Sequence, residues 1–161
     1  MVFEPDILVT DRDGASPALV VEVKEHIIDL VEVERQLKTY MVRMRCPVGI
    51  LISSEKMFLY RDRYTGYNAE SVERVGEFSM AGVLDAEVPS AVRAIKAPRQ
   101  RRFQMEDTVQ RWLESLTTES VVAGLPPELR EAVEEHVIPV LMQGEVRAAG
   151  PRWQLDQARS K

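Results

Sequence analysis

The chain has 161 residues, of which 45% are apolar and 29% are charged, and its formal net charge is −5 at pH 7. This length fits one domain, or one domain with a small appendage, and the apolar content argues against a disordered chain. A single cysteine, Cys46, excludes an internal disulfide and a zinc site built from several cysteines. The negative charge argues against a surface that is basic all over and binds nucleic acid indiscriminately.

No stretch of the sequence approaches the roughly eighteen apolar residues that are needed to cross a bilayer. The amino-terminal segment has no basic region followed by a long apolar stretch, so it does not resemble a secretory signal. The sequence therefore predicts a cytoplasmic protein that does not associate with a membrane.

The chain opens with a pattern that predicts an antiparallel β-hairpin. Strand-forming residues at 7–9 and 18–23 flank an Asp-Gly turn at 11–14. Asp6 lies early in the first strand and Glu22 lies late in the second. Because antiparallel pairing places the start of one strand beside the end of the other, we expect these two carboxylates to be neighbours.

A helix and two further strands follow the hairpin. The helix has Asp29 as its N-cap and an apolar stripe at helical spacing over 30–44, and Pro47 ends it. Continuous apolar residues at 48–52 predict a buried strand, and another strand follows at 57–60. The resulting order, β-β-α-β-β, is typical of an α/β or α+β core.

The remaining sequence divides the chain into a core, a linker and a helical region. The core is predicted over residues 1–95 and includes an edge strand at 71–78. Residues 96–102 carry four basic side chains and no acidic one, which indicates a basic linker. Residues 103–161 form an acidic, helical C-terminal appendage that packs on the core or makes an interface, with a kink expected at Pro139.

The side chains at the two strand ends suggest a specific chemistry. Asp6 and Glu22 together offer hard oxygen ligands that suit Mg²⁺ or Mn²⁺. Lys24 shares a strand face with Glu22, whereas the Val23 side chain points into the core and its carbonyl can face the metal. A cation and an ammonium that face one cavity are suited to hydrolysis of a phosphodiester.

These residues resemble the signature of the PD-(D/E)xK superfamily of nucleases, with Pro5-Asp6 as the first half and Glu22-Val23-Lys24 as the second. The resemblance covers roughly residues 4–61. It implies a restriction-endonuclease-like fold, in which helices flank a mixed central β-sheet. It also implies that Asp6, Glu22 and the Val23 carbonyl hold Mg²⁺ or Mn²⁺, that Lys24 assists the attacking water, and that the substrate is DNA.

The predicted helix adds a second match and a possible binding surface. Gln36 and Tyr40 fit the QxxxY pattern of several exonuclease-like branches, and their i,i+4 spacing places them on one helix face. The resemblance implies that Gln36 supports the catalytic site. Tyr40, Lys38 and Arg43 are candidates for contacts with the substrate, although a charged helix face that also carries Arg45 is more commonly just solvated.

The sequence therefore predicts a Mg²⁺-dependent nuclease of restriction, repair or defence type. The alternative is a catalytically silent nuclease-like module that binds or supports other molecules, with the C-terminal helices as a homodimer interface. A third possibility is a fragment of a larger restriction or defence protein. Members of the superfamily usually have a helix before the PD motif, and here the motif starts at Pro5. Either the helix lies upstream of this start, or it is dispensable, or the C-terminal helices take its place.

Overall fold

The computed structural model describes residues 3–11, 16–84 and 98–148. This part of the chain contains one mixed β-sheet with helices on both faces. Its principal elements are β1 (Ile7–Asp11), β2 (Pro17–Val23), α1 (Leu30–Met44), β3 (Val48–Ile52), β4 (Lys56–Asp62), β5 (Val72–Ser79), α2 (Pro98–Ser115), α3 (Glu119–Ala123), α4 (Pro127–Ala132), α5 (Ile138–Gln143) and β6 (Gly144–Ala148).

The six strands lie in the order β5-β4-β3-β2-β1-β6. Only the β2–β3 pair is parallel, because α1 connects those two strands, and the other neighbours are antiparallel. The antiparallel pairing of β1 with β2 is confirmed, whereas residues 12–15 of the predicted turn lie outside the described residues. The predicted α/β fold class, with a mixed sheet flanked by helices, is therefore confirmed.

Helix α1 covers one face of the sheet. Its N-cap is Asp29, whose Oδ1 accepts a hydrogen bond from the Glu32 N–H at 3.2 Å, as the sequence predicted. The apolar side of the helix, centred on Leu37 and Met41, packs on strand residues of the central sheet. The helix ends at Met44, shortly before Pro47, because the residue before a proline disfavours helical geometry.

The C-terminal helices cover the opposite face. Apolar side chains that include Trp112, Leu129 and Val137 form one core with β1, β2 and β3. The structure thus agrees with a helical C-terminal region that packs on the core. None of the helices in the described ranges combines the length and apolar character required to cross a membrane.

Two features of this region differ from the sequence prediction. Residues 98–102 of the predicted basic linker form the first turns of α2, since proline suits the first position of a helix and the arginines and glutamine favour helical structure. Residues 96–97 lie outside the described part of the chain. Strand β6 was not predicted, and it pairs antiparallel with β1, so that Val146 lies opposite Val9.

The helix contains a wider turn just before Pro139, where the sequence predicted a kink. Residues 133–137, between α4 and α5, form a π-helix in which the Ile138 N–H donates to the Val133 carbonyl. Proline has no N–H to continue the regular ladder, so a local change in the hydrogen-bond register is the expected response.

Candidate metal and catalytic site

The hairpin register brings Asp6 and Glu22 to neighbouring positions, as the sequence predicted. Ile7 lies opposite Val21, and the Asp6 N–H donates to the Val21 carbonyl at 3.2 Å. In addition, Asp6 Oδ2 accepts a hydrogen bond from the Val23 N–H at 2.8 Å. Asp6 therefore sits directly across from the last residues of β2, with its side chain fixed by the neighbouring backbone.

Both carboxylates are on the face of the sheet that α1 covers. Leu8 and Val20 pack against α1, and Asp6 and Glu22 each lie two residues away along a strand, which returns to the same face. Asp6 is only 8% exposed and Glu22 only 3% exposed. Two acidic side chains are thus withdrawn from water at adjacent strand ends, which is unfavourable for both unless a proton or a cation compensates.

Lys24 partly compensates this charge. Its Nζ lies 3.3 Å from Glu22 Oε1, and about a third of its side chain is exposed. Its backbone N–H donates to the Ile52 carbonyl at 2.9 Å, so the end of β2 is held against β3. The other oxygen of Glu22, Oε2, is buried, and no N–H or O–H group of the described residues donates to it, so a hydrogen bond between Glu22 and Asp6 requires a proton held by one of the two carboxyl groups. Lys24 therefore contacts one oxygen of Glu22, and the carboxyl pair still needs a shared proton or a bound cation.

The environment of Glu22 raises its pKa from the ordinary value of 4.5 to about 8. Burial is the largest cause, followed by the negative charge of Asp6 and by a hydrogen bond between the two carboxyl groups. Lys24 acts in the opposite direction, through its charge and its contact with Glu22, but does not overcome these effects. Without a cation, the pair is therefore expected to hold a proton near neutral pH.

Val23 has the orientation that the sequence predicted for its side chain. The side chain is fully buried in the core on the opposite face of the sheet from α1. Its N–H points towards Asp6, and in an extended strand the carbonyl of the same residue lies on the same flank as the N–H. This places the Val23 carbonyl on the Asp6 side of β2, where a metal ligand is expected.

The oxygen ligands at this site suit a hard divalent cation that keeps several of its waters. In the described ranges, no three or more His, Cys, Asp or Glu side chains are grouped so that they could hold a metal ion. Asp6 and Glu22 are two buried carboxyl groups side by side, and a divalent cation would replace the proton that they otherwise share. Mg²⁺ is commonly bound through one or two carboxylates while it keeps several waters, so a pair of carboxylates and a carbonyl is a suitable set.

Gln36 and Tyr40 share a face of α1, and they contact Glu32 and Phe3, which lie outside the Asp6–Glu22 pair. Gln36 Nε2 donates to Glu32 Oε1 at 3.1 Å, one turn earlier in the same helix. Tyr40 is buried, and the centroid of its ring lies 5.3 Å from that of Phe3. A part for Gln36 in catalysis and for Tyr40 in substrate binding therefore stays a prediction.

The two basic candidates on α1 occupy different surroundings. Lys38 Nζ lies 3.5 Å from Glu34 Oε1 and 5.9 Å from the centroid of the Tyr60 ring. Arg43 is exposed near the end of α1, where it lines a separate cleft with Arg45. The structure therefore does not gather Tyr40, Lys38 and Arg43 into one surface around the carboxylates.

A cleft lies just beyond the ends of β2 and β3. It has a volume of about 390 Å³, and its walls include His26, Ser53 and Lys56. Its lining starts one residue after Lys24, at Glu25, and includes none of Asp6, Glu22 and Lys24. Ser53 follows β3 and Lys56 begins β4, and neither belongs to a motif identified in the sequence.

No protein-family model matches this chain, and neither the curated proteins nor the solved structures with which it was compared gave a match.

Proposed function

We propose that the protein is a Mg²⁺-dependent nuclease that hydrolyses phosphodiester bonds in DNA. One observation carries this proposal: Asp6 and Glu22 are buried side by side at adjacent strand ends, with the Lys24 ammonium 3.3 Å from Glu22. Together these groups offer two hard anionic ligands and one cationic donor at the same edge of the sheet. This combination suits a negatively charged phosphodiester and a divalent cation.

A purely structural ion pair accounts less well for this arrangement. Lys24 alone could balance Glu22, but Asp6 adds a second buried carboxylate that raises the pKa of Glu22. Two carboxyl groups buried side by side need a shared proton or a bound cation. Such like-charged pairs with a strongly raised pKa are found preferentially at functional sites.

The proposed roles follow from the positions of the side chains. Asp6, Glu22 and the Val23 carbonyl would hold the cation, which when bound supplies positive charge beside the scissile phosphate and makes water more acidic. The Val23 N–H keeps the Asp6 carboxylate oriented. The partly exposed ammonium of Lys24 can donate a hydrogen bond to the attacking water or to a phosphate oxygen. Gln36, as the resemblance implies, would support the site from α1.

The function is tested by incubation of the purified protein with plasmid, single-stranded and branched DNA in Mg²⁺, in Mn²⁺ and in EDTA. We expect cleavage of at least one substrate with a divalent cation and none in EDTA. Asp6→Asn keeps an oxygen that can accept the Val23 N–H but loses the charge, so we expect its rate to fall by about a hundredfold or more. A folded wild-type protein that cleaves none of these substrates would overturn the proposal and favour the catalytically silent module.

A further inference from the structure

A second cluster of side chains lies at the far end of α1. The guanidinium of Arg45 lies 5.7 Å from the centroid of the Tyr67 ring and 6.0 Å from that of the Tyr64 ring. Tyr67 is 88% exposed and Tyr64 is 54% exposed. Together with Arg43, which lines the same cleft as Arg45 and Tyr67, they form what we call the tyrosine–arginine surface.

The backbone at two of these residues is in an uncommon conformation. Arg45 and Tyr64 both have φ of 57°, and they are the non-glycine residues with positive φ in the described part of the chain. This conformation is unfavourable for a bulky side chain such as tyrosine. At Tyr64 it is held by a 2.8 Å hydrogen bond from the Tyr64 N–H to Asp62 Oδ1. Asp62 is itself buried and accepts a hydrogen bond from the Ser71 hydroxyl.

The charge of this surface is not neutralised by its neighbours. Neither Arg43 nor Arg45 forms an ion pair with any residue that the structure describes, whereas nearby Arg63 pairs with Glu73 at 2.7 Å. The cleft beside the two arginines has a volume of about 380 Å³, and Asn68 contributes to its wall. In a protein with a net charge of −5, these are two exposed cations beside two exposed rings.

We propose that the tyrosine–arginine surface binds single-stranded DNA. Exposed tyrosine rings are platforms on which unpaired bases stack, and adjacent arginines bind the phosphates between those bases. Duplex DNA fits less well, because its bases already stack on one another and present no free face to a ring. The choice of DNA as the nucleic acid rests on the proposed nuclease function, whereas stacking and charge follow from the surface itself.

The surface lies apart from the candidate catalytic site. Helix α1 has 15 residues, and it begins after the end of β2 and finishes just before Arg45. At about 1.5 Å per residue, the two ends of the helix are roughly 22 Å apart. The surface would therefore hold a strand at a distance from Asp6 and Glu22, so that binding and cleavage can be measured separately.

The test is fluorescence anisotropy with a labelled single-stranded thymidine oligonucleotide and its duplex form, in EDTA so that no cleavage occurs. We expect the single strand to bind more tightly than the duplex. Tyr67→Ala should weaken binding of the single strand about fivefold or more. Arg45→Gly, which keeps the left-handed helix end, should weaken binding and reduce the dependence of log Kd on log salt by about one.

Arg63→Ala is the matched control, because it removes an exposed arginine that is already paired, and we expect its affinity to stay within twofold of the wild type. The inference is overturned if the wild type binds no single strand, if the duplex binds equally well, or if Tyr67→Ala and Arg45→Gly bind like the wild type. Since binding is measured without a divalent cation, tight binding without cleavage would overturn the proposed function alone. Cleavage with unchanged binding in the variants would overturn this inference alone.

Discussion

Lys24→Ala is expected to lower the rate of DNA cleavage by about a hundredfold or more, which is the typical loss when a single donor to a transition-state charge is removed. The fold should survive this change. Lys24 is partly exposed, and the Glu22 carboxyl that it contacts can take up a proton once the ammonium is gone. Rates measured on the cleaved substrate, together with circular dichroism of both proteins, separate a chemical loss from unfolding.

Lys56→Ala provides a matched control for this experiment. Lys56 is also a strand lysine that pairs with a glutamate, since its Nζ lies 2.8 Å from Glu77 Oε1, but that pair is exposed and belongs to β4 and β5. We expect this variant to cleave at the wild-type rate. If Lys24→Ala cleaves as fast as Lys56→Ala, then Lys24 has no part in catalysis and the assignment of the site is wrong.

Without divalent cations, the wild-type protein is expected to lose stability as the pH rises from about 5 to about 8. The pKa of Glu22 is about 8 in the folded protein and near its ordinary value of 4.5 in the unfolded chain. Between these values the folded state binds the additional proton, so the free energy of unfolding falls with increasing pH. The loss should be on the order of a few kcal/mol and should level off above the folded pKa.

Glu22→Gln should remove most of this pH dependence, because the amide has no proton to release and does not repel Asp6. We therefore expect the variant to be more stable than the wild type at pH 8 in EDTA. Denaturant unfolding at several pH values measures both effects. The control is Glu55→Gln, a change at an exposed glutamate, which should keep the pH dependence of the wild type. Parallel profiles for wild type and Glu22→Gln would show that the buried pair does not govern the pH dependence.

The amino-terminal half of the fold and the carboxylate pair could be predicted from local patterns. The two strand patterns and the Asp-Gly pair between them predict a hairpin, and the observed pairing of Ile7 with Val21 brings Asp6 beside Glu22. The alternation of side chains along a strand then separates Val23 from Glu22 and Lys24. These rules act over a few residues, which is why the sequence alone carries them.

Other features depend on contacts that the local sequence does not encode. Strand β6 has the charged residues Glu145 and Arg147 within five positions, and it is fixed by pairing with the edge of β1, far away in the chain. Tyr64 and Tyr67 lie in a polar segment after β4, and only the fold brings their rings to Arg45 at the end of α1. The one sequence signal for this surface was a pair of tyrosines three residues apart in a polar turn.

The spread of the candidate substrate residues has a simple geometric cause. Successive helix residues are about 100° apart, so Lys38 points away from the face of Gln36 and Tyr40. Its contact with Glu34, on the other flank of α1, agrees with this geometry. Tyr40, Lys38 and Arg43 therefore do not share one surface, because they are distributed around the helix.

The most direct test of the central claim, that Asp6 and Glu22 hold a divalent cation, is a calorimetric titration of Mn²⁺ into the wild type and into Glu22→Gln. We predict one Mn²⁺ site per chain in the wild type, with affinity lowered at least tenfold in Glu22→Gln and unchanged in Glu55→Gln. Equal Mn²⁺ affinity in the wild type and Glu22→Gln, or no binding to the folded wild type, would contradict the claim and remove the basis for a metal-dependent reaction at this site.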